Sequence, residues 1–132
     1  MATLIDTNIL LRSVQPSHSM HAVAVTALQN VAEFWSVATR PEKNNGLGFT
    51  TREAHSSLTS IENFFQILGE DAASYAIWKS MLTKLGISGV QVHDARLAAV
   101  MKVHGIARIV TFNVSGFARF PEIEAVHPED LG

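Results

Sequence analysis

Short apolar runs alternate with longer amphipathic stretches along most of the chain. The run "TLI" at 3–5 predicts a short buried strand that ends at Asp6. Helical spacing of apolar positions and short runs of apolar residues predict the remaining elements. Helices are predicted at 8–14, 17–29, 30–39, 50–64, 70–86 and 92–105, and further strands at 64–68, 107–112 and 122–128. Because strands and helices alternate, the predicted class is α/β with a mainly parallel central sheet flanked by helices.

Residues typical of helix ends support several of these bounds. Thr50 and Glu53 have the spacing of a capping box at the start of the fourth helix. Pro41 ends the third helix, since a residue that precedes proline avoids the helical region. The second and third predicted helices meet directly at Gln29 and Asn30, with no strand predicted between them.

Composition restricts the class of protein. The chain has 132 residues, which fits one domain over 1–132, with 47% hydrophobic and 17% charged residues and a net charge of −2. That charge argues against indiscriminate binding to nucleic acid, so any such contact must use a local patch of basic residues. There are no cysteines, no leader-like N-terminus and no apolar run long enough to cross a bilayer, and we therefore expect a cytoplasmic protein without a membrane segment.

Polar residues follow predicted strands or begin predicted helices at four places. Asp6 ends the first strand, Asn113 follows the strand "IVTF", Asp94 opens a helix and Glu33 lies in the otherwise apolar helix "NVAEFWSVA". Sites in parallel α/β sheets form outside the carboxyl ends of the strands, so these side chains are predicted to converge. Each of the three carboxylates also has an ordinary explanation: a turn for Asp6, the helix dipole for Asp94 and the solvent-facing stripe of a helix for Glu33.

Taken together, the acidic residues suggest a site for a divalent cation, which no one of them would suggest alone. Carboxylates held close together repel each other, and a divalent cation removes that repulsion. Oxygen ligands suit Mg²⁺ or Mn²⁺. A cation held in this way can activate a water and stabilise charge on a phosphate, which is the chemistry of phosphodiester hydrolysis.

Several stretches resemble the PIN domain family, and more narrowly the VapC-type toxins of bacterial toxin–antitoxin pairs. The resemblance covers nearly the whole chain, and the first and fourth of its stretches are specific in combination. The matching stretches are "LIDTNILLR" at 4–12, "NVAEFWSVATRP" at 30–41, "NNGLG" at 44–48, "VHDARLAAVMKVHGIARIVTFN" at 92–113 and "FARFPEI" at 117–123.

The resemblance implies a PIN-like three-layer sandwich and a Mg²⁺- or Mn²⁺-dependent ribonuclease. It implies that Asp6, Glu33 and Asp94 bind the metal, with Asn113 at the fourth acidic position of the catalytic set. It further implies that Asn8 holds the Asp6 carboxylate by a hydrogen bond and that Thr111 supports the site. VapC-type toxins are usually dimers silenced by a cognate antitoxin, so the expected partners are RNA, an antitoxin and a second copy of the chain.

The sequence departs from the family pattern in two ways. Asn113 stands where relatives often have Asp, and Gly116 occupies a nearby place where they frequently have Asp. Relatives also have a loop and a buried strand before the helix that contains Glu33, whereas Gln29 and Asn30 join two predicted helices here. These departures motivate an alternative function, a catalytically weakened or inactive PIN-fold binding module.

Arginines are the candidate contacts for RNA phosphate, because a guanidinium binds phosphate through paired hydrogen bonds. Arg40 and Arg96 lie near the acidic segments, and Arg12 is a further candidate. A phosphatase or phospho-receiver domain also has an Asp after its first strand. It would need an acidic neighbour at that strand end and a Lys after a later strand, and neither "IDTN" nor "VTFN" provides them.

Overall fold

The computed structural model describes residues 2–12 and 24–131. The five strands are β1 (Thr3–Ile5), β2 (Ala24–Ala27), β3 (Gln66–Leu68), β4 (Arg108–Val110) and β5 (Glu124–Val126). The five α-helices of the described ranges are α1 (Thr7–Arg12), α2 (Leu28–Thr39), α3 (Thr51–Phe64), α4 (Ala72–Lys84) and α5 (Val92–Val103).

The strands form one sheet in the order β3-β2-β1-β4-β5, and every pairing is parallel. β1 lies at the centre, where Leu4 is opposite Val25 of β2 and Ile109 of β4. This confirms the predicted α/β class with helices beside a parallel sheet. It also brings the carboxyl ends of all five strands to one edge.

Both faces of the central strands are covered, which explains why apolar residues follow one another at 4–5 and 109–110. In β1, Leu4 packs into one apolar cluster and Ile5 into another, because consecutive strand residues point to opposite faces. The cluster on the Leu4 face includes α5 residues such as Met101, with Trp78 of α4 packed against it. The cluster on the Ile5 face includes Phe34 of α2, among others.

The second strand corrects a prediction. Ala24–Ala27 is a strand buried along its whole length, whereas the sequence predicted helix over 17–29, of which 17–23 lie outside the described residues. A short strand buried on both faces has no polar alternation, so its pattern matches a buried helical turn equally well. The strand thought to be lost between Gln29 and Asn30 is therefore present, and it ends where α2 begins at Leu28.

The other helix and strand predictions agree with the structure to within a few residues where it describes them. Thr50 Oγ1 accepts from Glu53 N at 3.1 Å and Glu53 Oε1 accepts from Thr50 N at 2.9 Å, so the predicted capping box is confirmed. None of the helices within the described ranges has the length and apolar character that crossing a membrane requires.

Candidate metal and nucleic-acid site

The polar residues singled out in the sequence come from four segments around the carboxyl edge of the sheet. Asp6 follows β1, Thr111 and Asn113 follow β4, and Asp94 lies in the first turn of α5. Glu33 lies on α2, the helix that directly follows β2, and its side chain is exposed. Because the strands are parallel and alternate with helices, these polar residues lie around the same edge of the sheet.

Asp6 is the most firmly held of these side chains. Its Oδ1 accepts hydrogen bonds from Thr7 N at 2.8 Å and from Asn30 Nδ2 at 2.9 Å. Its Oδ2 accepts from Thr111 Oγ1 at 2.7 Å. The fully buried Thr111 hydroxyl also accepts from Asn113 N at 3.0 Å, so one hydroxyl connects the carboxylate to the segment after β4. These hydrogen bonds to both oxygens fix the orientation of the Asp6 carboxylate.

Asn30 takes the role that the sequence analysis gave to Asn8. Within residues 2–12 and 24–131, the side-chain amide that donates to Asp6 belongs to Asn30, while Asn8 is exposed. Asn30 is 1% exposed, and its Oδ1 accepts from Ala27 N at 3.3 Å at the start of α2. Its role was not predicted because the bond to Asp6 spans 24 positions of sequence and depends on the pairing of β2 with β1. The available signal was an amide at the start of an otherwise apolar helix.

The pKa of Asp94 responds to its burial and to the charges around it. The pKa of Asp94 is raised above its ordinary value of 3.8, first because burial removes water from the carboxylate and next because of repulsion from Asp6. Glu33 adds a smaller repulsion in the same direction. His93 and Arg119 act in the opposite direction and lower the same pKa. The site is thus acidic at its centre and has a cation at its rim.

Asn113 and Gly116 share a confined space beside Asp94. A Cβ placed on Gly116 would lie 2.3 Å from Asn113 Nδ2 and 2.8 Å from Asp94 Oδ2. Both distances are shorter than any ordinary contact, so the absence of a side chain at 116 is what lets the amide and the carboxylate approach each other here. The amide of Asn113 therefore occupies the space that an acidic side chain at 116 would need.

The predicted RNA-binding arginines differ in their surroundings. Arg96 pairs with Glu70, with Nη2 2.8 Å from Oε2 and Nε also bonded to the carboxylate, so its guanidinium is already engaged. Arg40 Nη2 lies 3.3 Å from Ser36 Oγ on the same helix end. Arg12 ends α1, and its side chain lies outside the described part of the structure. Arg119, which the sequence analysis did not single out, is exposed and close enough to Asp94 to lower its pKa.

A large cavity in the described part of the chain does not mark this site. It has a volume of about 520 Å³ and lies between the carboxyl ends of α4 and α5, near Lys84, Lys102 and Glu122, at the opposite edge of the sheet. A smaller cleft of about 350 Å³ lies at the start of α4 and α5 and includes His93, the residue before Asp94. Proximity to the carboxylates, and not volume, therefore identifies the functional edge.

The donor atoms at this edge are compatible with a hard divalent cation. Carboxylate and amide oxygens are the ligands that Mg²⁺ and Mn²⁺ prefer, and mutual repulsion at Asp94 is what a cation would relieve. Among the residues that the structure describes, no three His, Cys, Asp or Glu side chains are close enough to hold one ion together. Mg²⁺ commonly uses one or two carboxylates and keeps several waters, so Asp6 and Asp94 fit such a mode of binding.

Comparison with known proteins identifies the class. The PIN domain family matches residues 3–123, and the chain belongs to that family. No curated protein sequence matches the chain at a significant level.

Three solved structures illustrate the likeness in fold. One is VapBC2 from Rickettsia felis bound to a DNA fragment from its promoter, with a TM-score of 0.68 and 18% identity over 96% of this chain and 98% of that one. A toxin–antitoxin complex from Klebsiella pneumoniae has a TM-score of 0.65 and 16% identity over 92% of this chain and 95% of that one. FitAcB from Neisseria gonorrhoeae has a TM-score of 0.61 and 19% identity over 97% of this chain and 99% of that one.

Proposed function

We propose that this PIN-domain protein is a Mg²⁺- or Mn²⁺-dependent endoribonuclease and the toxin of a bacterial toxin–antitoxin pair. The observation that carries the proposal is the placement of Asp6 and Asp94 at one edge of the sheet, where Thr111 Oγ1 joins Asp6 to the segment that places Asn113 beside Asp94. Acidic groups that repel each other at a sheet edge cost stability, and such a cost is typical of functional sites. The names of the solved structures similar in fold, which include toxin–antitoxin complexes, support the biological context.

Each residue has a proposed role in this reaction. Asp6 and Asp94 are the metal ligands, and Glu33 contributes negative charge from α2, directly or through water. Asn30 and Thr111 are positioning residues, because they hold the two oxygens of Asp6. Asn113 supplies a neutral amide beside Asp94. A bound Mg²⁺ or Mn²⁺ would supply Lewis acidity for hydrolysis of the phosphodiester by water.

Arginines at the rim of the acidic site are the proposed contacts for the RNA phosphates. Arg119 lies close enough to Asp94 to influence its pKa, and its guanidinium suits a phosphate that enters the site. Arg40 remains a second candidate, whereas the engagement of Arg96 with Glu70 makes it a weaker one. We also propose that the protein acts in the cytoplasm, consistent with a chain without cysteine, and that it forms a homodimer and binds an antitoxin.

The experiment that tests the function is RNA cleavage by Asp94→Asn in the presence of Mg²⁺ or Mn²⁺. We expect cleavage and growth inhibition to be lost while the circular dichroism spectrum stays that of the parent chain. Glu62→Gln, at an exposed position of α3, is the matched control, and this variant should cleave RNA normally. Full cleavage by Asp94→Asn would reject the assignment.

The neutral Asn113 supports a second candidate, a PIN-fold binding module with little or no activity. Because an amide brings no charge, this site has less affinity for a cation than one with a fourth carboxylate. Calorimetric titration with Mn²⁺ separates the candidates. Saturable heat that disappears in Asp94→Asn supports the nuclease, whereas no metal-dependent heat in the parent chain supports the binding module.

A further inference from the structure

A cleft beside the acidic site has the features of a small binding site. Its volume is about 350 Å³, and it lies between the first turns of α4 and α5. The residues that give it chemical character are Glu70, Tyr75, Trp78, His93 and Arg96. None of them is needed to hold Asp6 or Asp94.

Two aromatic side chains form one wall of this cleft. Tyr75 is 58% exposed, although burial of its ring would be favourable, and it lies next to Trp78 with ring centroids 6.1 Å apart. Trp78 is fixed, because its Nε1 donates to Val92 O at 2.8 Å. The pair thus presents an exposed ring on a rigid support, which suits stacking with a flat ligand.

The charged groups of the cleft compensate each other. Glu70 is neutralised by Arg96 across paired hydrogen bonds, and Asp71 accepts from Ser74 N at 2.8 Å as the N-cap of α4. The cleft is therefore a poor site for a phosphate. The edges of the Glu70–Arg96 pair offer an acceptor and a donor side by side, which suits the hydrogen-bonding edge of a neutral planar ring.

The cleft adjoins the acidic site at the start of α5. His93 lines the cleft and immediately precedes Asp94 in the first turn of α5. Gln29 Nε2 of α2 donates to His93 O at 3.1 Å, which fixes the start of α5 against the start of α2. An RNA strand with one phosphate at Asp94 would therefore place a neighbouring nucleotide at this cleft.

We infer that the cleft formed by Tyr75, Trp78 and the Glu70–Arg96 pair binds one nucleobase of the single-stranded RNA whose backbone lies at the acidic site. This inference rests on the proposed function and adds a base-binding subsite to it. The base stacks on Tyr75, and Glu70 and Arg96 contact its edge.

The test measures binding of a fluorescein-labelled, random-sequence single-stranded RNA to the Asp94→Asn chain without divalent cations, so that cleavage does not interfere. Adding Tyr75→Ala should raise Kd about tenfold, which corresponds to ~1.4 kcal/mol and lies in the range for base–aromatic stacking. Tyr75→Phe keeps the ring and should bind like the parent. Phe64→Ala, at the opposite edge of the sheet and 40% exposed, is the matched control and should leave Kd unchanged.

A second readout follows the cleft itself. In a Trp35→Phe background, Trp78 is the only remaining tryptophan, because the chain has two. Its fluorescence should change on binding RNA but not on binding inorganic polyphosphate, which has no bases. An equal response to polyphosphate would overturn the inference.

The remaining outcomes separate this inference from the proposed function. If the wild-type chain cleaves RNA and Tyr75→Ala changes neither Kd nor KM, the base subsite is rejected and the nuclease stands. If Tyr75→Ala weakens RNA binding while the wild-type chain cleaves no RNA, the subsite stands and the nuclease is rejected. Loss of binding to a partner protein without loss of RNA binding would assign the cleft to protein docking and overturn the inference.

Discussion

Asn30 offers the sharpest test of how the acidic site is built. Replacing it by Ala removes three side-chain hydrogen bonds: Asn30 Nδ2 donates to Asp6 Oδ1 at 2.9 Å and to Thr7 Oγ1 at 3.1 Å, and Asn30 Oδ1 accepts from Ala27 N at 3.3 Å. A hydrogen bond to a charged group contributes ~1.5–3 kcal/mol, and leaving a buried donor unpaired costs ~1–3 kcal/mol. Asp6 keeps its bonds from Thr7 N and Thr111 Oγ1, so its carboxylate is not left without donors and the full cost of the three lost bonds is not reached. We expect Asn30→Ala to lower the free energy of unfolding by about 2–4 kcal/mol.

Urea denaturation of the metal-free protein measures this effect. Asn63→Ala, an exposed substitution near the end of α3, is the matched control and should stay within about 0.5 kcal/mol of the parent. An Asn30→Ala chain as stable as that control would refute the reasoning, because the bonds around Asp6 would then contribute nothing.

The isosteric change Asn30→Asp tests the electrostatic part separately. It places a second carboxylate in the position of an amide that lies 2.9 Å from Asp6, so repulsion raises the pKa of the introduced group in the folded state. A raised folded-state pKa means that the destabilisation is present at neutral pH and is relieved as the pH falls through that pKa. Asn30→Asp should therefore be less stable than Asn30→Ala at pH 7 and should recover stability in acid, whereas equal stability across the range would contradict the argument.

Three further predictions concern the same edge of the sheet. The raised pKa of Asp94 means that the metal-free protein loses stability as the pH rises through a window that begins near the ordinary value of 3.8. Asp94→Asn should therefore raise the Tm of the metal-free chain at pH 7 and remove that loss. An unchanged pH profile by differential scanning calorimetry would contradict this prediction. Mn²⁺ should raise the Tm of the parent chain but not of Asp94→Asn, because a ligand that binds only the folded state stabilises it, and equal shifts would place the ion elsewhere. Gly116→Ala should displace Asn113 or Asp94 and weaken Mn²⁺ binding measured by calorimetry, while Gly69→Ala, whose added Cβ meets nothing within 4 Å, should bind as the parent does.

Local sequence patterns were sufficient for much of the architecture. The capping box at the start of α3 predicted a helix end because both of its bonds form between residues three apart. Asp6 and Asp94 were placed at one edge because the alternation of strands and helices makes the sheet parallel, and parallel strands end on the same side. The capping box depends only on residues close together in the chain, and the placement of Asp6 and Asp94 depends only on the order of the strands and helices.

The tertiary structure decided what depends on distant partners. β2 is recognisable only from the layers that bury it, since four consecutive buried residues carry no periodicity of their own. Asn30 became the partner of Asp6, in place of Asn8, because the end of β2 brings α2 beside β1, across 24 positions of sequence. Arg96 is engaged by Glu70 for the same reason, across 26 positions.

The sequence thus determined that Asp6 and Asp94 would lie at the carboxyl edge of the sheet, and folding determined which side chains donate hydrogen bonds to Asp6 there. Periodicity reports the environment of a residue relative to its own helix or strand. The identity of a hydrogen-bond donor or counter-ion depends on distances between elements that only packing sets.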